Sequence, residues 1–359
     1  MLKDMSAGVN RLLTGFGRKS GGKRVNLALQ GGGAHGAFTW GVLDYLLEDG
    51  RLGFAGVSGA SAGAVNAVML ADGLARGGPD EARTRLAEFW RAASLGGSLP
   101  DAQRAVLERV LSMFPVSGSP MQLFVDTMSR LMSPYDFNPL NINPLKDLIE
   151  RFVDFDAIRN YKELELFVSA TNVRSGRLRV FSRDDVSADV IMASAALPHV
   201  FRAVEIDGEP YWDGGFTGNP AMLPLISSNP DDDVLLVQIA PLKRDDTPTT
   251  TREILSRVNE ISFSSSLAAE LRALEYVGRN MVRRNGKGQS KSPSGINVHR
   301  ILLEGFDKKL GTGTRLKNDY DFFALLHRAG RRAARRFLDQ HFDDIGERST
   351  FDLVKETAA

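Results

Sequence analysis

Twice within its first eighty residues, the chain passes from a short apolar run through a glycine-rich turn into a helical pattern. The first unit joins VNLALQ (25–30) to AHGAFTWGVLDYLLEDG (34–50), in which large apolar residues recur at helical spacing. The second unit joins FAGVS (54–58) to AGAVNAVMLADGLARG (62–77). Repeated strand–turn–helix units are typical of a parallel sheet covered by helices, so this pattern predicts an α/β fold.

Later segments extend the same organisation. Strands are predicted at 163–173, 178–182, 233–241 and 297–305, and a hairpin at 203–216. Helices are predicted at 188–201, where Pro198 ends the run, at about 250–284 and at about 319–342. We therefore expect a mostly parallel central sheet flanked by helices, with a helical insertion at about 80–160 and a helical C-terminal extension.

Composition narrows the possible classes of function. The chain has 359 residues, a formal net charge of +1 and no cysteine. The absence of cysteine excludes disulfides, thiolate metal sites and a cysteine nucleophile, and the near-zero charge argues against a dedicated nucleic-acid binder. No run approaches the ~20 apolar residues that span a bilayer. The N-terminus has no continuous apolar h-region, so we expect a soluble or peripheral protein rather than a secreted one.

The motif GGGAHG (31–36) follows the first strand and opens the first helix. A G-x-G-x-x-G loop in this position can bind a nicotinamide or flavin dinucleotide, but that use requires a carboxylate at the end of the next strand. That strand ends at Val57 and Ser58 instead. The remaining interpretations are a tight turn that needs glycine's conformational freedom and an oxyanion hole built from backbone N–H groups at a helix N-terminus.

The second turn carries GASAG (59–63), with Ser61 between two glycines. A G-x-S-x-G pentapeptide between a buried strand and a helix is the context of a nucleophile elbow, which projects the serine hydroxyl over the end of the sheet. The alternative is a chance pentapeptide in a turn rich in glycine and alanine. The flanking strand and helix favour the elbow.

A serine nucleophile needs a base. The five histidines are His35, His199, His299, His327 and His341, and none lies in a recognisable loop for a Ser-His-Asp triad. YWDGGF (211–216) places Asp213 at the end of a short strand, followed by two glycines that permit close approach of another segment. An aspartate in a turn is commonly only a local cap. With the glycine loop and the elbow before it, Asp213 becomes the favoured base.

These three motifs together resemble those of the patatin-like phospholipase family, over about residues 25 to 226. The resemblance implies a three-layer α/β/α fold and a Ser–Asp dyad, with Ser61 attacking an ester carbonyl and Asp213 accepting its proton. It also implies hydrolysis of fatty acyl esters, such as phospholipids or lysophospholipids, without a metal or organic cofactor. The implied oxyanion hole consists of the amides of Gly32, Gly33 and Ala34. The other motif positions are Gly31, Gly36, Gly59, Gly63, Gly214 and Gly215.

This chain departs from the family pattern at two positions. His35 stands where the family often has arginine or lysine, which weakens the expectation of an anionic phosphate nearby. Gly215 stands where many members have alanine, a change that we expect to be tolerated. With the family's boundaries, the chain divides into a basic flexible tail (1–24), a catalytic domain (25–226) and C-terminal strands and helices packed on it (227–359).

Two further segments bear on contact with lipid. Apolar residues and Met113, Met121, Met128 and Met132 lie in the insertion, which predicts a packed helical cap, with a lid or acyl-chain wall as the alternative. In the last helix, five arginines recur at three- and four-residue spacing: Arg328, Arg331, Arg332, Arg335 and Arg336. Such a face is usually solvated, but it is also able to dock on anionic lipid. We expect a cytoplasmic protein with a lipid ester substrate, peripheral membrane contact and no nucleic-acid partner.

Two other functional hypotheses remain open at this point. One is a catalytically inactive, membrane-associated scaffold of the same fold, which has no physical need of an intact serine, aspartate and glycine loop together. The other is a Ser-His-Asp esterase in which His299 relays the proton.

Overall fold

The structure is a computed structural model that describes residues 22–94, 133–138, 141, 143–244, 246–285, 296–304 and 319–352. Three predicted features lie outside the described residues. They are the N-terminal tail up to residue 21, the methionine-rich part of the insertion at 113–132 and the loop at 286–295.

The described chain forms one eight-stranded sheet with helices on both faces. The strands are β1 Lys23–Leu29, β2 Leu52–Gly59, β3 Glu165–Asn172, β4 Leu178–Ser182, β5 Val204–Ile206, β6 Glu209–Asp213, β7 Asp233–Gln238 and β8 Val298–Leu302. The helices are α1 Gly36–Asp49, α2 Ala62–Gly77, α3 Pro79–Ala92, α4 Pro134–Phe137, α5 Pro144–Phe152, α6 Phe155–Asn160, α7 Ala188–Ser194, α8 Leu223–Ser228, α9 Thr251–Asn285 and α10 Tyr320–His341. Short 3-10 helices occupy Gly33–His35, Arg183–Asp185 and Gly214–Phe216.

The sheet confirms the prediction of a mostly parallel α/β/α fold. Strands β3, β2, β1, β7 and β8 are parallel and adjacent in that order. The central pair, β1 and β7, is buried along its apolar residues, as expected for parallel strands covered on both faces. The antiparallel strands β4, β5 and β6 lie at the β3 side. β7 and β8 thus extend the same sheet beyond the motif-bearing segment.

Strand β3 brings the end of β2 and the end of β6 together. One edge of β3 pairs with β4 along 167–171, so β2 and β6 must share the other edge. On that edge Val168 pairs with Gly59 of β2, and Ala170 pairs with Asp213 of β6. A step of two residues along a strand is about 7 Å. The turn after β2 and the last residue of β6 are therefore neighbours, although they are far apart in sequence.

The last helix, α10, packs directly against the first, α1. A Cβ added at Gly41 would collide with the backbone of His327, and one at Gly330 would collide with the backbone of Phe38. The two backbones therefore approach closely because neither position carries a side chain. Phe322, Phe323, Leu326, Phe337 and Leu338 of α10 are buried in the main core.

A polar cluster lies at the edge of the contact between α1 and α10. Asp44 of α1 accepts hydrogen bonds from Arg83 Nε at 2.7 Å, from Arg331 and, in the protonated form of that ring nitrogen, from His327 Nε2 at 3.0 Å. Burial would raise the pKa of Asp44, but the three hydrogen-bond partners together hold it well below its usual range. The ionised carboxylate therefore ties three helices together.

The helix predicted at 188–201 is shorter than expected. It ends at Ser194, four residues before the proline that was expected to end it. The backbone carbonyl of Ala196 instead accepts a hydrogen bond from the Asp213 amide at 2.9 Å. This hydrogen bond to β6 requires Ala196 to leave the helix, so the helix ends before Pro198 is reached.

Candidate active site

Ser61 occupies the turn between β2 and α2 in a conformation that few non-glycine residues adopt. Its φ is 53° and its ψ is −124°. Positive φ costs about 1–3 kcal/mol for such a residue and persists only where the surroundings impose it. The flanking glycines make the turn possible, because a Cβ at Gly59 would collide with Gly63, and one at Gly63 would collide with the Leu29 carbonyl of β1. This strained turn between a strand and a helix has the backbone geometry expected of the nucleophile elbow predicted from GASAG.

A second serine holds this elbow in place. The Ser61 amide N–H donates a hydrogen bond to the hydroxyl oxygen of Ser194, 2.9 Å away, and both residues are buried. Ser194 is the last residue of α7, which the prediction from sequence treated only as a helix. The one signal for it was its position in ASAALP, a run of small residues that permits close packing.

Asp213 lies at the end of β6 with no exposed surface. Its backbone is fixed on two sides, since its amide donates to Ala196 and its carbonyl accepts from Thr171 Oγ1 at 2.8 Å. Its side-chain Oδ1 accepts a hydrogen bond from the Gly215 amide at 2.7 Å. This local bond is the cap that a turn aspartate commonly makes, but it uses only one of the two carboxylate oxygens.

The electrostatics of Asp213 suit proton transfer near neutral pH. Burial raises the pKa of Asp213 to about 7, against the lowering effects of the Gly215 amide and the Ser61 hydroxyl. The two residues are neighbours because Gly59 and Asp213 pair with Val168 and Ala170 of the same strand, β3. No group in the described part of the chain gives Oδ2 a hydrogen bond of good geometry. In unliganded enzymes, catalytic hydrogen bonds are often longer than in the complex with substrate.

The glycine loop lies beside the elbow. A Cβ at Gly31 would stand 2.9 Å from Ser61 Cβ, and one at Gly36 would stand 2.7 Å from Ala62 Cβ. Gly33 has a φ of 61°, which favours glycine there. Within the described ranges, the amides of Gly32, Gly33 and Ala34 have no hydrogen-bond acceptor. Three unsatisfied donors next to the N-terminus of α2 form an environment that favours negative charge.

Gly215, which follows the candidate base, is packed against the long C-terminal helix. A Cβ at this position would collide with the ring of Phe263 from α9 and would stand 2.9 Å from Asp213 Oδ1. Phe263 also packs on Phe216, with the ring centroids 4.7 Å apart. Glycine at position 215 leaves room for the Phe263 ring, which the methyl group of an alanine would strike. Nothing in the sequence indicated this contact.

None of the four histidines outside the glycine loop has a described contact with the Ser61 hydroxyl. His299 is fully buried, and its ring nitrogens contact Asp233 at 2.9 Å and Thr350 at 3.0 Å, at the amino-terminal end of β7. That end is opposite the strand ends that carry Ser61. His327 and His341 contact aspartates, and His199 is exposed. His35 is buried in the loop, with its ring centroid 6.3 Å from that of Phe322.

The arginines of α10 do not all share one environment. Arg331 turns toward α1 and pairs with Asp44 and Glu48, whereas Arg328, Arg332, Arg335 and Arg336 are exposed. Arg336 is also 3.5 Å from Glu304. Among the described residues, no helix combines the length and the apolar character needed to cross a bilayer. No group of three His, Cys, Asp or Glu side chains within the same ranges is arranged to hold a metal ion.

Comparison with known proteins identifies a related family. The model of a family described as patatin-like phospholipase matches residues 27–226. Among solved structures, the chain is similar to VipD from Legionella pneumophila, with 16% identity, a TM-score of 0.36, and coverage of 87% of this chain and 67% of VipD. It is also similar to a chain of the ExoU–SpcU complex from the type III secretion system of Pseudomonas aeruginosa, with 16% identity, a TM-score of 0.35 and 90% coverage. It spans about half of that chain, 52%. No curated protein matches the sequence.

Proposed function

Because this chain belongs to the patatin-like phospholipase family, we propose that it is a serine lipid acyl hydrolase that uses Ser61 as nucleophile and Asp213 as base. Family membership supports a lipid hydrolase in general, and the arrangement of the two residues supports the particular mechanism. The observation that carries the proposal is the burial of Asp213 beside the elbow, with a pKa raised to about 7 and one carboxylate oxygen that has no hydrogen-bond partner among the described residues.

In the first half of the reaction, the Asp213 carboxylate takes the proton of the Ser61 hydroxyl as its oxygen attacks the ester carbonyl. The carbonyl π electrons move to oxygen and give a tetrahedral oxyanion. When this intermediate collapses, the ester C–O bond breaks, and Asp213 returns its proton to the departing alkoxide. The products are an alcohol or a lysolipid and an acyl group on Ser61.

In the second half, Asp213 takes a proton from a water molecule, which attacks the acyl carbonyl. Collapse of the second tetrahedral intermediate breaks the bond to Ser61 Oγ, the proton returns to the serine oxygen, and the fatty acid leaves. An aspartate with a pKa of about 7 serves both directions, because it accepts and releases a proton with a similar driving force near neutral pH.

The proposed oxyanion hole consists of the amides of Gly32, Gly33 and Ala34. Their lack of acceptors in the described part of the chain supports this role, because donors that are unoccupied before reaction need no rearrangement when charge develops. The loss of one such donor typically costs about 100- to 1000-fold in turnover. The N-terminus of α2, which begins at the residue after Ser61, adds a favourable dipole.

A relay through His299 is not favoured, since its two ring nitrogens are already in contact with Asp233 and Thr350 at the far edge of the sheet. An inactive scaffold is not favoured either. A protein without catalytic function has no need of a strained serine, a buried aspartate of raised pKa and three unoccupied amides in one place.

A fluorophosphonate probe tests this function without knowledge of the substrate. We expect the probe to label the wild-type protein and to leave Ser61→Ala unlabelled. Release of fatty acid from phosphatidylcholine, lysophosphatidylcholine and a p-nitrophenyl acyl ester then distinguishes the lipid classes. Absence of both labelling and release from correctly folded wild-type protein would overturn the proposal.

We further propose that the exposed arginines Arg328, Arg332 and Arg335 bind the membrane surface that contains the lipid substrate. They lie on one face of α10, whose N-terminal end contacts the glycine loop through Phe322 and His35. A basic helical face of this kind attracts anionic headgroups.

Co-sedimentation with vesicles tests this contact. Arg328→Glu with Arg332→Glu should weaken binding to vesicles containing phosphatidylglycerol, while the matched change Arg177→Glu with Arg179→Glu, on an exposed hairpin, should preserve more binding. An equal loss of vesicle binding in both variants would show that binding depends only on net charge, and it would contradict a specific docking face.

A further inference from the structure

Asn219 joins the glycine loop to a part of the chain beyond the family-matched segment. Its side chain has no exposed surface. On one side, its Oδ1 accepts a hydrogen bond from the amide N–H of Gly31 at 2.7 Å. Gly31 is the first residue of the glycine loop, and Asn219 follows the candidate base by six residues.

On its other side, Asn219 is held by α9. Its Nδ2 donates to the backbone carbonyl of Phe263 at 2.9 Å, and its own amide donates to Ser266 Oγ at 3.1 Å. Phe263 is also the residue whose ring packs on Gly215 and Phe216. One turn of α9 therefore contacts the segment that carries the base and, through a single asparagine, the loop that carries the amides.

The bond to Gly31 has a direct consequence for those amides. Because the N–H of Gly31 is committed to Asn219, the orientation of the peptide unit between residues 30 and 31 is fixed. The directions of the next three amide N–H groups, from Gly32 to Ala34, depend on the orientation of this peptide unit. These three groups have no acceptors in the described part of the chain. Glycine-rich backbone has little intrinsic preference of its own, so an external anchor is needed to keep donors aimed at one point.

We propose that Asn219 is a positioning residue, which orients the oxyanion loop through Gly31 and is itself oriented by Phe263 and Ser266 of α9. The inference rests on the proposed hydrolase function and extends it to a residue that does not touch the reacting atoms. It also makes α9, outside residues 27–226, part of the support of the catalytic apparatus.

The test compares three variants in the full-length protein. Asn219→Ala removes both side-chain bonds, and Ser266→Ala removes one tether while leaving the bond to Gly31. Asn229→Ala is the matched control, because Asn229 also bridges two segments through its amide, to Asn26 at the opposite end of the sheet. We expect Asn219→Ala to lower kcat about 100-fold with KM within about two-fold, as for the loss of an oxyanion donor.

The rate of fluorophosphonate labelling should fall in parallel, because phosphonylation also places negative charge in the oxyanion site. The apparent pKa of the acid limb should stay near 7, since Asp213 is untouched. Asn229→Ala should keep wild-type kcat. Ser266→Ala should lower kcat about three- to ten-fold, because a loosened anchor still holds the loop part of the time.

A folded Asn219→Ala protein with wild-type kcat and labelling rate would overturn the proposal. If Asn219→Ala does not fold, Ser266→Ala decides, and wild-type kcat in that variant overturns it. If the wild-type protein itself neither labels nor hydrolyses, the proposed function fails. Hydrogen exchange of the peptide containing residues 31–34 then tests the positioning alone, and equal exchange in wild-type and Asn219→Ala protein would overturn it.

Discussion

The amide N–H of Ser61 donates a hydrogen bond to the hydroxyl of Ser194, and this contact joins the nucleophile elbow to a helix more than a hundred residues further along the chain. The elbow holds Ser61 at a positive φ that its own side chain disfavours. A buried acceptor on the serine's own amide supplies part of the free energy that keeps this conformation.

Ser194→Ala should therefore weaken both stability and turnover. Loss of the acceptor leaves a buried N–H without a partner, which costs about 1–3 kcal/mol in the free energy of unfolding. We expect kcat to fall at least about ten-fold as the elbow relaxes. Ser187→Ala is the control, because Ser187 caps the same helix through the Val190 amide at 3.3 Å and its loss costs about 1 kcal/mol. Equal kcat in both variants would contradict a role for Ser194 in the elbow.

Replacement of either proposed catalytic residue should abolish hydrolysis. We expect Ser61→Ala and Asp213→Asn each to lower kcat/KM by at least about 1000-fold, since the two side chains act as a unit, and the double variant to be no worse than the singles. His299→Ala should retain activity in proportion to its folded fraction, measured by circular dichroism. A loss at His299 comparable with that at Asp213 would favour a histidine relay instead.

The pH profile should report the ionisation of Asp213. Because its pKa is raised to about 7 and only the carboxylate accepts a proton, kcat/KM should fall as pH decreases through about 7, with a slope of one proton. The measurement is initial rate against pH with a soluble p-nitrophenyl ester. An acid limb near pH 4 would mean that burial does not raise the pKa of the Asp213 carboxyl group.

The stability of the folded protein should also depend on the ionisation of Asp213, but here the protonated form is the favourable one. The folded-state pKa of Asp213 lies above the unfolded value of 3.8, so the protonated form stabilises the folded state below pH about 4, and this contribution is lost as pH rises through about 7. Asp213→Asn cannot ionise. Its Tm should therefore rise relative to that of the wild type between pH 5 and pH 8, by a few degrees for a protein of this size. A constant difference across this range would contradict a buried carboxylate with a raised pKa.

Gly215→Ala should impair the site through its clash with Phe263. The added methyl group should cost about 1–3 kcal/mol in stability, as overpacking does, and displace Asp213 Oδ1 enough to lower kcat. Phe263→Ala in the same chain removes the obstructing ring, so the alanine at 215 should cost less in that background. An equal cost in both backgrounds would show that the two positions are not coupled.

Asp44→Asn should loosen the attachment of the last helix. The carboxylate is bound by Arg83 of α3 and by His327 and Arg331 of α10, and its removal should lower the free energy of unfolding by about 2 kcal/mol at pH 7. The low pKa of Asp44 means that its contribution is present above pH about 4 and is lost as pH falls further. Asp80→Asn is the control, since Asp80 is 3.9 Å from the same Arg83 but is 98% exposed. Urea unfolding of both variants provides the comparison.

The part of the fold that could be predicted from sequence is the part encoded locally. The helix predicted over 62–77 is present with those bounds, and both strand–turn–helix units form because glycines punctuate a strong apolar pattern. The helix from 188 was predicted too long, since its end is decided by the pairing of Ala196 with Asp213 rather than by Pro198. That pairing joins distant segments, so the sequence of the helix itself does not indicate where the helix ends.

The residues of the candidate site also fall into two groups, those identified by a local motif and those placed only by tertiary contacts. Ser61, Asp213 and the glycine loop were predicted because each sits in a short motif with a recognisable backbone requirement. Ser194, Asn219 and Phe263 act through tertiary contacts, and their residue types are common in any fold. Spacing along the chain carries no information about them, because their partners are brought near only by the order of strands in the sheet.

Gly41 and Gly330 come from opposite ends of the chain, yet their backbones touch. During synthesis on the ribosome, α1 therefore emerges long before α10, the helix that covers it. A fragment ending at residue 226 would lack that helix and also β7, the strand hydrogen-bonded to β1. Such a fragment would expose apolar surface and an unpaired strand edge, which promotes aggregation. The motifs lie within residues 25–226, but the packing partners that cover this segment are synthesised after it.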